Sequence, residues 1–198
     1  ALINDNEFRV YLQGLCTNIT GGITTFELEL VKRGTSSQKL ETLNADLTTL
    51  KDLIWHIERD RVQVSISVEE LLAGRKDDRF IEVFLSIQQI LAGLDRLEVR
   101  GRDSAGVHLM IQNHGLDFNN PGTIQEIKKR ANDPSYKSGS IRVMDNALSV
   151  VYKVASEIGE LGDNTRELRR IILADDLLYR ALENEKVSAV VIGHSRWA

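Results

Sequence analysis

The spacing of apolar residues changes near residue 100, so no single element type fits both halves of the chain. Before that point the spacing is helical. Phe8, Tyr11, Leu12, Leu15, Ile19, Ile23, Phe26 and Leu30 follow a period of about 3.6. Gly14 and the Gly21-Gly22 pair lie inside this run, and each helix-interior glycine costs about 1 kcal/mol relative to alanine. The expectation is one long helix bent at the pair, or two collinear helices, ended by Gly34-Thr35-Ser36-Ser37. Leu40, Leu43, Leu47, Leu50, Ile54 and Ile57 then alternate spacings of three and four, a short heptad seam. Its length predicts an intramolecular helical hairpin; it permits a homodimer without requiring one. Val62, Val64, Ile66 and Val68 alternate, which predicts an extended link. Ser67-Val68-Glu69-Glu70 reads as a capping box that opens a short helix stopping at Gly74. Phe80, Val83, Phe84, Ile87, Ile90, Leu91, Leu94 and Leu97 form another helical stripe.

After Gly101 the period falls to two. Ala105, Val107, Leu109 and Ile111 alternate as in a strand. Asn119-Asn120-Pro121-Gly122 is a turn signal before a short helix over Thr123 to Arg130. Ser140 to Met144 and Leu148 to Val154 read as a hairpin around Asp145-Asn146. Gly162-Asp163-Asn164 is expected to cap one long helix running to about Asn184. A last strand covers Ser188 to Ile192. The fold class is therefore α+β: a helical bundle over residues 1–98, then a mixed half over residues 99–198.

Composition narrows the function. Basic residues number 25 against 29 acidic, a formal charge of −4, which gives no electrostatic case for nucleic acid or an acidic membrane surface. The basic cluster Lys128-Lys129-Arg130 reads as a solvated helix face. No apolar run approaches the roughly 20 residues of a membrane helix. The single cysteine, Cys16, excludes an internal disulfide and fits a reducing compartment, so a cytoplasmic setting is expected. There is no zinc spacing, no phosphate-binding loop and no Ser-His-Asp arrangement, so neither a metal nor a cofactor is expected. His56, His108 and His114 read as isolated.

Two stretches carry chemistry. Arg96-Leu97-Glu98-Val99-Arg100-Gly101-Arg102-Asp103-Ser104-Ala105-Gly106 lies where a helix gives way to a strand. Gly193-His194-Ser195-Arg196-Trp197-Ala198 follows the last strand. No hydrophobic core needs a His, an Arg and a Trp at the end of a buried strand. Together they resemble the class II glutamine amidotransferases, the N-terminal-nucleophile (Ntn) family that takes ammonia from glutamine. The first block is similar to that family's R-L-E-Y-R-G-Y-D-S-A-G, and the second to the beginning of its H-T-R-W-A-T-H-G. Asp-Ser-Ala-Gly and Arg-Trp-Ala resemble the branch that aminates a sugar phosphate. Val99 and Arg102 depart from the pattern, where Tyr is common. The match is dense in these blocks, extends to element order in the second half, and does not reach the helical half.

The resemblance implies that the second half is part of an Ntn-hydrolase-like αββα sandwich, with glutamine as substrate. It implies that Arg196 clamps the glutamine α-carboxylate, which a planar guanidinium does through two parallel charge-assisted bonds. It implies that Trp197 covers glutamine and gates ammonia passage, that His194 and Ser195 support this loop, and that Arg100, Asp103 and Ser104 belong to the loop beside the nucleophile. The acceptor would be fructose 6-phosphate, held by a second, SIS-type isomerase domain outside this chain. The family's nucleophile is an N-terminal Cys whose own amine serves as base. The chain starts at Ala1, so that Cys is expected upstream, and the chain alone is expected to be inactive. Cys16, on the apolar side of a helix, is expected to be a buried structural thiol.

Overall fold

A computed structural model of the chain describes residues 2–33, 37–98, 104–131, 137–155 and 160–195. The fold is α+β, with two compact units, residues 1–69 and 70–198. The first contains a 3₁₀ turn at Leu2–Asn4, helix α1 (Asn6–Arg33), helix α2 (Ser37–His56) and a π-helical segment, Ile57–Gln63, that leads into α3 (Val64–Leu72). Helix α1 runs uninterrupted through Gly21-Gly22. Cys16, Ile23 and Ile54 form its core with α2, with Leu47 packed against them. Lys51 donates to Glu27 across the pair at 2.6 Å. Arg9 is buried but fully engaged: it donates to the Leu2 and Ile3 carbonyls at 3.0 Å, to Asn6 at 3.2 Å, and to Glu69.

The extended link expected around Val62 to Val68 is instead helical, and the expected capping box at Ser67 lies inside α3. The reason is Ser65. Val62, Ser65, Val68, Leu71 and Leu72 make a buried helical stripe, and Ser65 is its polar member. Its hydroxyl donates to the Val62 carbonyl at 2.7 Å, so a serine satisfied within the helix hides the period from an apolar pattern. The stop at Gly74 holds: Ala73 and Gly74 both take positive φ, 48° and 85°.

In the second unit α4 (Asp78–Leu97) starts at Asp77, whose carboxylate accepts from the Arg79 amide at 3.0 Å. Strands β1 (Ala105–Gln112), β2 (Ser140–Met144), β3 (Ala147–Val154) and β4 (Ser188–His194) form one four-stranded sheet, ordered β2-β3-β1-β4 and antiparallel throughout. The β2–β3 turn is Asp145-Asn146, with Asp145 at φ 47°. Helix α5 (Pro121–Ala131) carries Pro at its first position, and Asn120 accepts from the Gly122 amide at 2.9 Å.

Alternate residues explain the packing. Val107, Leu109 and Ile111 of β1, Leu148, Val150 and Tyr152 of β3 and Ile141 of β2 are buried. Helix α4 packs on β4, and α6 (Asp163–Leu173) packs on β1, β3 and α4, so both helices cover this one face. A Cβ on Gly193 would lie 2.5 Å from Ile90 Cγ2, so glycine permits the close approach of α4. The opposite face leaves Met110, Val190, Ile192 and Met144 exposed. Helix α4 packs with the sheet, and the compact units divide at residue 69.

The long helix expected from Asp163 to Asn184 is two: α6, then α7 (Asp176–Ala181). Asp175 separates them. Its carboxylate accepts from the Leu177 amide at 3.1 Å, capping α7. The same carboxylate takes bonds from Arg130 at 2.9 and 2.6 Å and from the Tyr152 hydroxyl at 2.6 Å.

Candidate functional site

The two motif stretches meet on the sheet. The β1–β4 register sets Gly106 opposite His194 and Val107 opposite Gly193. A Cβ on Gly106 would lie 2.2 Å from His194 Nε2, so the imidazole lies over the glycine, and only glycine leaves it room. Ser195 follows His194, half-buried. Ser104 precedes β1; its hydroxyl is buried and has no hydrogen-bond partner among the described residues. Arg100, Asp103, Arg196 and Trp197 lie outside the described residues. The structure thus brings together Gly106 of the first stretch and His194 of the second; Ser104 and Ser195 lie close to them in the chain.

Glu98, within the first motif, has a role the sequence did not disclose. It is buried at the end of α4 and accepts from the Gly162 amide and from the Asn164 amide, the latter at 3.3 Å. A carboxylate there satisfies free N–H groups at the start of α6 and faces the positive end of its dipole. The departure of the chain from α4 is thereby fixed to α6. Gly162 at φ 91°, next to Asp163, is the signal that a helix start was available.

The sheet's open face carries a polar group near the same end. His108 Nε2 lies 2.6 Å from Ser149 Oγ, so His108 is not isolated. Burial, then the charge of nearby His194, pushes the His108 imidazole below its ordinary range. His108 is therefore neutral at neutral pH, and its ring can exchange a hydrogen bond with the serine without charge. His56 is also partnered, with Nδ1 2.8 Å from Asp60. His114 Nδ1 accepts from the Leu116 amide at 3.3 Å, and its ring meets Phe118 edge-on.

Cys16 is buried in the helical hairpin, and burial, reinforced by Glu58, pushes its thiol above the ordinary range. A thiol there is a poor source of thiolate. The other polar concentration is a depression of about 410 Å³ beside Arg130, Tyr152 and Asp175. Arg130, expected on a solvated face, is instead mostly buried in its ion pair. Burial works to raise the Asp175 carboxyl, but bonds from Arg130 and Tyr152 outweigh it and hold the group below the usual carboxylate range. These groups satisfy one another, so the depression is a brace between α5, β3 and α7.

Among the described residues no His, Cys, Asp and Glu cluster could hold a metal ion, and no helix is long and apolar enough to cross a membrane. No family model, curated protein or solved structure matches the chain.

Proposed function

We propose that the second unit is part of a class II glutamine amidotransferase domain of the Ntn-hydrolase type, resembling that of glucosamine-6-phosphate synthase. The observation that carries this reading is the pairing of Gly106 with His194, which joins the two motif stretches at one end of one sheet. In this reading Arg196 binds the α-carboxylate of glutamine in a bidentate fork, and Trp197 covers the substrate. The loop bearing Arg100, Asp103 and Ser104 lies beside the attacking thiolate, where a cation favours the ionised sulfur. Glu98 and His194 are positioning residues that hold the two loops' roots. Ammonia released from the γ-amide passes to fructose 6-phosphate on an SIS-type isomerase domain. The apolar open face of the sheet supports an αββα sandwich, since a second sheet would cover Met110, Val190 and Ile192.

Buried Cys16 is not the nucleophile of this reading. The 198-residue chain is expected to release no ammonia from glutamine, by coupled glutamate assay; release would contradict the placement of the nucleophile outside it. The protein translated from the whole gene, treated with a diazo-ketone glutamine analogue, is expected to carry the label on a cysteine other than Cys16. Label on Cys16, or none, removes the enzyme reading. A non-catalytic binding module on an amidotransferase-like scaffold would then remain, a reading favoured by the exposed apolar flank of the helical hairpin.

A further inference from the structure

The hairpin of α1 and α2 has two unlike flanks. Its contact line follows a heptad, with Cys16 and Ile23 on α1 and Ile54 on α2 at one core position, all buried. The other core position holds Leu12, Ile19 and Phe26 on α1 and Leu43, Leu50 and Ile57 along α2 and its continuation; Leu12 and Leu43 are partly buried, and the other four are more than a third exposed. The core is therefore closed on one side and open on the other.

In an antiparallel helix pair, residues displaced in the same sense from the contact line emerge on the same side. On the closed side these are Gln13, Thr20 and Glu27, with Asn44, Lys51 and Glu58. The 2.6 Å Glu27–Lys51 ion pair spans that flank. On the open side they are Phe8, Leu15 and Gly22, with Asp46, Leu53 and Asp60. Phe8 is 44 % exposed and Leu53 55 %. Along α1 this flank carries no charged residue from Phe8 to Phe26.

We infer that the open flank is the interface with a second copy of this chain, two hairpins closing a four-helix bundle about a two-fold axis. The sequence of the row supports a second copy over an unlike partner. Phe8, Leu15, Ile19 and Phe26 are spaced seven, four and seven, so the row reads the same from either end, aromatic outside and aliphatic within. A two-fold perpendicular to α1 sets Phe8 against Phe26 and Leu15 against Ile19, as an isologous interface requires. Along the α1 row no like charges oppose each other; the charged positions of the flank, Asp46 and Asp60, lie on the second helix and its continuation. The area also suffices: from the individual exposures the flank offers roughly 700 Å² per copy, or about 1,400 Å² for the pair, within the range of stable interfaces. Gly22 fits the same geometry. It sits in the row with no described residue within 4 Å of where a Cβ would be, which leaves a notch there.

The 198-residue chain in sedimentation equilibrium is expected to be a dimer at micromolar concentration. Leu15→Glu is expected to weaken association about 100-fold with helix content by circular dichroism unchanged, because Leu15 is not part of the buried core. The two adjacent glycines give a test independent of that variant's folding. Gly22→Leu fills the notch and is expected to weaken the dimer roughly tenfold or more, whereas Gly21→Leu, on the outer face, leaves it unchanged. A monomer at hundreds of micromolar, a dimer unaffected by Leu15→Glu or Gly22→Leu, or an equal effect of the two glycine changes would each overturn the inference.

Discussion

The two units handle their apolar residues in opposite ways. Around the sheet, Phe84, Ile87, Val107, Leu109, Ile111 and Leu148 are all completely buried, and the helices α4 and α6 fill one face. Among the described residues of the hairpin, Cys16, Ile23 and Ile54 close a core with Leu47 against it, while Phe8, Tyr11, Phe26 and Leu53 remain exposed. Apolar area buried per side chain sets how much each unit stabilises itself. The sheet unit buries its apolar residues on its helical face, whereas the hairpin leaves an apolar row of α1 exposed.

Equivalent truncations break or sharpen this contrast. Leu109→Ala leaves a cavity among fully buried neighbours and is expected to cost about 4 kcal/mol. Ile23→Ala, in a core open on one side that can partly collapse, is expected to cost about 2 kcal/mol. Urea unfolding with amide hydrogen exchange resolved for each unit measures both; equal losses would mean that the hairpin core is as closed as the sheet's.

Asp175→Asn tests whether polar bracing belongs to the sheet unit. It keeps a helix cap but strips the charge from the bonds with Arg130 and Tyr152, and is expected to cost about 3 kcal/mol. The folded pKa of Asp175 is depressed, so its contribution is complete above the unfolded pKa and is lost as pH falls through the lower folded value. Stability of the wild-type chain should therefore fall below about pH 4, and more steeply than that of Asp175→Asn. Parallel acid limbs for the two proteins would assign the stability elsewhere.

Gly106→Ala has a smaller and more local effect. The new methyl would meet the His194 imidazole at 2.2 Å, and displacing that ring is expected to cost about 1 to 2 kcal/mol. The His194 Cε1–H resonance should shift while the hairpin resonances stay in place. An unmoved His194 resonance would show that the ring does not lie over the glycine.

Where physical cues were local, the sequence was sufficient. The Asp145-Asn146 hairpin, the Asn120-Pro121 helix start and the α4 stripe each follow from neighbouring residues. Where a polar residue serves a distant contact, it was not. Ser65 hides a helical stripe, and Asp175 divides a helix because Arg130 and Tyr152 reach it from elsewhere. Glu98 stood in the first motif stretch with no role of its own, since the helix start it caps is far along the chain. At the candidate site, the two motif stretches were visible as sequence, but their meeting at Gly106 and His194 depends on strand register. The roles of Arg100, Asp103, Arg196 and Trp197 rest on the resemblance alone, as these lie outside the described residues.

The joining of the two stretches into one glutamine pocket is tested most directly by titrating glutamine into the isotopically labelled 198-residue chain and following its amide resonances. Ser104, Gly106, His194 and Ser195 are expected to shift together in a single saturable phase, absent in Arg196→Ala, with the hairpin resonances still. No shift at millimolar glutamine, or shifts confined to the hairpin, would contradict it.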